Sequence, residues 1–211
     1  MISLREKAYN IIREKIINCK LMPGDVIDEK ELIAQTGCSR TPVREALNSL
    51  AQEGFVRIVP RRGIFVSDIS IKDIHDIYEL KQELEPIIVR MHGSEIPEDK
   101  LLIFQKKFST DTDFYNYTLQ DAAFHMLIVD CCTNKYYRLI MNIVSDQSQR
   151  IMMLTNEEPS RLEQSRNEHL DIINALLEKD VDRAADAVKR HYRNSLENIM
   201  KFNTISEFLK R

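Results

Sequence analysis

The sequence predicts a mainly α-helical protein in two parts: three helices and one β-hairpin first, then an all-helical bundle of six or seven helices. Three observations carry that expectation. Glycine (5) and proline (6) are scarce for 211 residues, which disfavours a many-turned β architecture. Apolar residues recur at i, i+3, i+4 spacing through most of the chain, as helices with one buried face require. Only the stretch Phe55–Val66 carries β-rich runs joined by a glycine-containing turn. With 43% hydrophobic and 30% charged residues, the chain has the composition of an ordinary soluble globular protein.

The first helix is expected over residues 3–19, where Leu4, Ala8, Ile11, Ile12, Ile16 and Cys19 share one side and Lys15 interrupts it. Pro23-Gly24 breaks it. A second, short helix leads through Glu31-Leu32-Ile33 to Ala34-Gln35-Thr36-Gly37-Cys38. Gly37 reverses the chain there, because glycine takes positive φ at little steric cost. Ser39 or Thr41 can cap the third helix, and Pro42 fits its first turn, where a missing N–H is not needed. Val43, Ala46, Leu47 and Leu50 then face inward. Arg40 and Arg44, four residues apart, lie outward near the helix start. Phe55–Val59 and Ile64–Val66 flank the turn Pro60-Arg61-Arg62-Gly63, so the hairpin tip carries two arginines.

Two short helices, a tight turn and a basic hairpin make a winged helix-turn-helix. Its third helix is suited to enter the DNA major groove by its N-terminal end, which places Ser39, Arg40, Thr41 and Arg44 at base edges or phosphates. Arginine can grip guanine O6 and N7 with two hydrogen bonds. Arg61, Arg62 and Gly63 are the candidate contacts of the wing. Lys30, at the start of the second helix, occupies a position that often carries a DNA-facing basic residue in winged helices. The net charge of −3 conceals an asymmetry. Residues 1–66 hold 11 Lys+Arg and 8 Asp+Glu, a net of +3, and the remainder 19 and 25, a net of −6. The positive part is the part that would face phosphate.

Ser67-Asp68-Ile69-Ser70 joins two expected domains, residues 1–67 and 68–211. The join is short and has no flexible tract. Ser70 can cap the next helix with Asp73 completing the capping box. That helix is expected from Ile71 to His92, with Ile74, Ile77, Tyr78, Leu84, Ile87, Ile88 and Met91 as its apolar side. Gly93 closes it and Pro97 opens a helix over Glu98–Ser109. Further helices are expected over Tyr115–Cys131, Tyr136–Thr155, Ser160–Lys179 and Val181–Phe208.

Within the bundle, Asp121 and His125 are four apart and share a helix face. His169 follows Glu168 on a later helix, and His191 lies on the last. One carboxylate and three imidazoles suit a divalent transition metal. A single helical histidine is more often a packing or surface residue than a ligand, and the spacing alone leaves that alternative open.

The run Ser39-Arg40-Thr41-Pro42-Val43-Arg44-Glu45-Ala46-Leu47, then Leu50, Glu53-Gly54, Val56, Pro60, Arg62-Gly63 and Val66, resembles the GntR family of bacterial transcription regulators. Asp121-Ala122-Ala123-Phe124-His125, Asn134, Glu168-His169, Ile172-Ile173, Ala175, Asp180, Ala184 and His191 resemble the FCD effector domain of the family's FadR-like branch. The resemblance implies a DNA-binding regulator that responds to a small organic acid. It also implies that Asp121, His125, His169 and His191 hold zinc, nickel or manganese. His75 and His92 match no motif position and are expected at the surface or at boundaries. The family often has arginine in an Arg-x-x-Leu-Glu context where this chain has Lys81-Gln82-Glu83-Leu84-Glu85. Lys81 is therefore a candidate contact for a carboxylate effector without arginine's planar fork. Arg150 is a second candidate by its place on a bundle helix.

The expected protein is a homodimer on an approximately palindromic operator, because two recognition helices on successive DNA turns require one. The rival reading is a metal-dependent hydrolase with a nucleic-acid-binding head, since an Asp/His₃ site can activate water. No base-plus-nucleophile motif accompanies the site. No signal-like start or apolar run of membrane length occurs, and a cytoplasmic protein without a membrane partner is expected. Cys19, Cys38, Cys131 and Cys132 form no C-x-x-C pair and are expected to be small buried apolar residues.

Overall fold

The computed structural model describes residues 2–110, 113–155 and 159–201. Two compact units divide between Ile69 and Ser70.

The first unit holds α1 (Leu4–Ile17), α2 (Glu29–Thr36), α3 (Arg40–Gln52) and the antiparallel strands β1 (Val56–Val59) and β2 (Gly63–Val66). Ser3 starts α1 by accepting from the Glu6 N–H, and Asp28 starts α2 by accepting from the Lys30 N–H. Gly37 ends α2 in the left-handed region, φ 65°, as the sequence predicts. Ser39 stands at the N-cap of α3, but its hydroxyl makes no cap bond, so the expected side-chain cap is missing there. Ala8, Ile12, Ile16, Leu32, Val43, Ala46, Leu47, Leu50, Phe55 and Val66 form one buried core. The segment before α2 also pairs with the hairpin: Ile27 N–H donates to Ile64 O (2.8 Å) and Val66 N–H to Asp25 O (2.9 Å). Sequence periodicity gives no sign of this pairing, because the segment is too short to carry a period.

The second unit holds α4 (Ile71–His92), α5 (Glu98–Thr110), α6 (Phe114–Asp130), α7 (Lys135–Thr155), α8 (Pro159–Leu177) and α9 (Val181–Lys201). Its described residues form no strand. The expected continuation of α9 to Phe208 lies outside the described residues. The Ser70–Asp73 capping box is present. α4 packs along α9 and α7, α8 against α5 and α9, and α6 against α4, α5 and α7. α4 departs from its expected apolar side. Ile74, Tyr78 and Ile88 are buried, whereas Ile87 and Met91 are exposed, and Lys81 and Glu85 are buried instead. The helix carries two apolar stripes, and a period of 3.6 cannot say which one meets the bundle. Of the cysteines, Cys38 and Cys132 are buried, but Cys19 and Cys131 are only partly so, because each closes the end of a helix rather than facing a core. No described helix is long and apolar enough to cross a membrane.

Leu47 is fully buried at the centre of the first unit's core. Leu47→Ala is expected to cost about 2–5 kcal/mol, read as a lower urea midpoint of the unit's unfolding.

Candidate metal centre and nucleic-acid face

In the first unit, Lys30, Ser39, Arg40, Thr41, Arg44, Arg61, Arg62 and Gly63 are all exposed. The first two turns of α3 display Arg40, Thr41 and Arg44. The β1–β2 turn displays the wing arginines, with Arg61 in the left-handed region (φ 65°) and Arg62 N–H donating to Val59 O at 3.0 Å. Arg44 is not simply solvated. Its Nε and Nη2 donate to the two carboxylate oxygens of Glu29, at 2.6 and 3.1 Å. The hydrogen bond to Arg44 holds the Glu29 carboxyl below its ordinary value, and Arg40 adds to the effect. Sequence reasoning passed over Glu29, whose distance from Arg44 along the chain hides the pairing.

In the second unit, Asp121 and His125 on α6, His169 on α8 and His191 on α9 converge. His169 Nε2 lies 3.1 Å from Asp121 Oδ1 and 3.2 Å from His125 Nε2. His125 Nε2 and His191 Nε2 each lie 3.9 Å from the same carboxylate oxygen. All four residues are buried. Four donor atoms thus point at one small space, each from a different turn of the surrounding helices.

The far side of every ring is held. His125 Nδ1 bonds Glu85 Oε1 (2.5 Å), and Tyr192 donates to the other Glu85 oxygen (2.5 Å). His169 Nδ1 bonds the Tyr117 hydroxyl (2.9 Å), which donates in turn to Ser165 Oγ (2.6 Å). His191 Nδ1 bonds Glu168 Oε2 (2.8 Å). Arg161 grips Glu168 with two bonds of 3.0 Å, and Asn194 adds a third. Phe108 stacks flat on His169, 4.4 Å between centroids. A ring that donates from Nδ1 presents a lone pair at Nε2. Sequence reasoning missed Glu85, Tyr117, Arg161 and Tyr192 as members of this outer set and noted only Glu168, as the neighbour of His169.

The electrostatics follow from burial and crowding. Burial, then the neighbouring His169, lowers the His191 imidazole to about 3. Burial also lowers His169. Burial would raise the Asp121 carboxyl, but His169 and the other two imidazoles outweigh it and hold it well below its ordinary value. Glu168 is held at about 2, where bonds from His191 and Arg161 overcome burial. These shifts favour neutral His169 and His191 beside ionised Asp121 and Glu168 at neutral pH, the protonation state of ligands.

This arrangement fits a cation. With each Nδ1 donating outward, the Nε2 lone pairs of His125 and His169 face each other at 3.2 Å and that of His169 faces Asp121 Oδ1 at 3.1 Å, and both contacts repel. Both costs vanish with a positive charge between them. Ligands about 2.1 Å from one metal have donor atoms about 3–4 Å apart, close to the spacings here. Nitrogen and oxygen donors without sulfur suit zinc, nickel or manganese.

The two candidate effector contacts are also interior. Lys81 Nζ donates to Ser148 Oγ (3.2 Å) and lies 4.6 Å from the centre of the Tyr192 ring. Burial lowers its ammonium against the pull of Glu85, Asp121 and Asp146. Arg150, on α7, is fully buried. Of the histidines outside the site, His75 is exposed and His92 is buried at the end of α4.

Comparison with known proteins places both units. Residues 4–66 match the model of the bacterial regulatory proteins of the gntR family, and residues 76–194 match the FCD domain. An HTH-type transcriptional repressor of Escherichia coli K12, RspR, is 28% identical over 208 residues, covering 93% of this chain and 89% of its own. An HTH-type transcriptional regulator of Bacillus subtilis 168, YdhC, is 27% identical over 198 residues, covering 90% and 88%. The solved structure of E. coli McbR/YncC shares the fold, with a TM-score of 0.84 at 19% identity over 95% of this chain and 99% of that one. A gntR-family match over the winged helix-turn-helix and an FCD match over the helical bundle make the chain a member of the GntR family, a DNA-binding transcriptional regulator with an FCD effector domain.

Proposed function

We propose that this regulator is a metal-dependent, small-carboxylate-responsive repressor that binds an approximately palindromic operator as a homodimer. The reading divides the work between residues 1–67, which bind DNA, and residues 68–211, which dimerise and sense. Repression is taken from the relative named a transcriptional repressor.

The observation that carries the sensing half is the convergence of three Nε2 atoms and Asp121 Oδ1 with every Nδ1 anchored behind. Asp121, His125, His169 and His191 would hold the metal, which would supply a Lewis acid for an oxygen ligand. Glu85, Tyr117 and Glu168 fix the ring orientations and keep Nε2 free of a proton. The buried Lys81 ammonium and Arg150 guanidinium supply the positive charge that a carboxylate effector needs once out of water. Such an effector alters operator affinity only as far as it binds the DNA-competent and DNA-incompetent arrangements differently.

The dimer has a ready surface. On α4, Ile77, Leu80, Leu84, Ile87 and Met91 repeat at alternating steps of three and four, the seam of a helix that packs on another helix. Leu80, Ile87 and Met91 are exposed, Met91 by 54%. The neighbouring α7 exposes Tyr136, Leu139 and Ile140. A patch of this kind calls for a partner, and a second copy burying the same face gives the twofold symmetry that a palindrome requires.

Protein purified without a histidine tag should carry about one transition metal per chain. His125→Ala should lose most of it while the first unit stays folded and binds DNA non-specifically; full retention by elemental analysis would remove His125 from the ligand set. Leu80→Glu with Ile87→Glu should sediment as a monomer and lose tight operator binding; an unchanged dimer would move the interface elsewhere. Arg44→Ala should cost about 1–3 kcal/mol in specific DNA binding, and unchanged affinity and preference in a shift assay would withdraw its base contact.

A further inference from the structure

We infer that Glu29 is a positioning residue for DNA reading: its carboxylate holds one edge of Arg44 so that the other edge faces a guanine. This rests on the reading that Arg44 meets a base.

The guanidinium has two edges able to make paired hydrogen bonds, Nε with Nη2 and Nη1 with Nη2. Glu29 takes the first, at 2.6 and 3.1 Å. Among the described residues Nη1 takes no hydrogen bond, and the Arg44 side chain is 57% exposed. The edge left over is the one whose two parallel N–H groups match guanine O6 and N7. A planar carboxylate on one edge and a planar base edge on the other lie in one plane with the guanidinium. Both demands are thus met without either bond being broken.

Glu29 is itself well held. It is the first residue of α2, behind the Asp28 cap, where the helix N-terminus favours a carboxylate. Its side chain is only 23% exposed, and Arg40 lends it further positive charge. Arg44, by contrast, is a long side chain that would lose rotamer freedom on docking. Restraint before docking reduces that loss. Fold stability does not account for the pair, because ion pairs this exposed contribute little to it. A carboxylate beside a phosphate-facing surface also weakens DNA binding in general. Its presence there makes sense if it raises discrimination between sequences.

The test uses the full chain and duplexes selected by it from a random pool, with the same duplexes altered at single guanines. The quantity read is the affinity ratio of selected to altered duplex at fixed salt. Glu29→Gln is expected to lower that ratio roughly tenfold, mainly at one guanine per half-site, with melting temperature unchanged and binding to unrelated duplex equal or tighter. In an Arg44→Ala background the same change should have no further effect on the ratio. A ratio kept by Glu29→Gln but lost by Arg44→Ala would overturn the inference while leaving the base contact in place. Equal tightening on every duplex would make Glu29 a charge brake only. A ratio kept by Arg44→Ala would remove the base contact and this inference with it.

Discussion

Burying ionisable groups is what the second unit is organised around. Three imidazoles and two carboxylates lie out of water at the meeting of α4, α6, α8 and α9. Each needs partners, since an unpartnered buried polar group costs about 1–3 kcal/mol. The helices supply them in pairs. α4 brings Glu85 to His125, α6 brings Tyr117 to His169, and α8 brings Glu168 to His191. Every ring is therefore oriented by a helix other than its own. Small displacements of one helix would misalign a donor on another, which makes the packing of the bundle and the geometry of the centre a single problem. Arg161 belongs to the same logic: it is buried and spends its guanidinium on Glu168 and Ser195 rather than on solvent.

Much of this was legible in the sequence, and the parts that were not have physical reasons. Helix count and order came from periodicity and from stops such as Gly37, Gly93 and Pro97. The four converging donors could be named because their residue types are chemically conspicuous and rare on helices. Their supports could not. Tyr117, Arg161 and Tyr192 are residue types found on any helix, and only three-dimensional packing assigns them to a ring nitrogen. The inner face of α4 was misjudged for a related reason. Lys81 and Glu85 look like surface residues, and Ile87 and Met91 look like core. The burial of the first pair is compensated by Ser148, Tyr192 and His125, none of which is near in sequence.

The first unit was more readable because its signals are local. Asp28 caps at two residues' distance, Gly37 turns on its own conformation, and the wing closes over the four residues from Val59 to Arg62. What escaped was the lateral pairing of the segment before α2 with β2, and the Glu29–Arg44 bond that joins α2 to α3. Both involve positions whose side chains obey ordinary surface statistics. The exposed arginines were placed correctly by pattern, but their state was not: Arg44 is bound at one edge, whereas an outward arginine on a helix is normally solvated.

The hydrogen bond between Tyr192 and Glu85 spans 107 residues of chain. It also means that the centre draws on the first helix of its unit and the last. During synthesis the N-terminal residues emerge first, and everything the winged helix needs lies within 69 of them. The DNA-binding unit can mature while most of the second unit is still unmade. The centre is complete only when α9 arrives with His191 and Tyr192. Glu85, His125 and His169 are out of water in the finished unit, and their enclosure needs the residues that α9 adds.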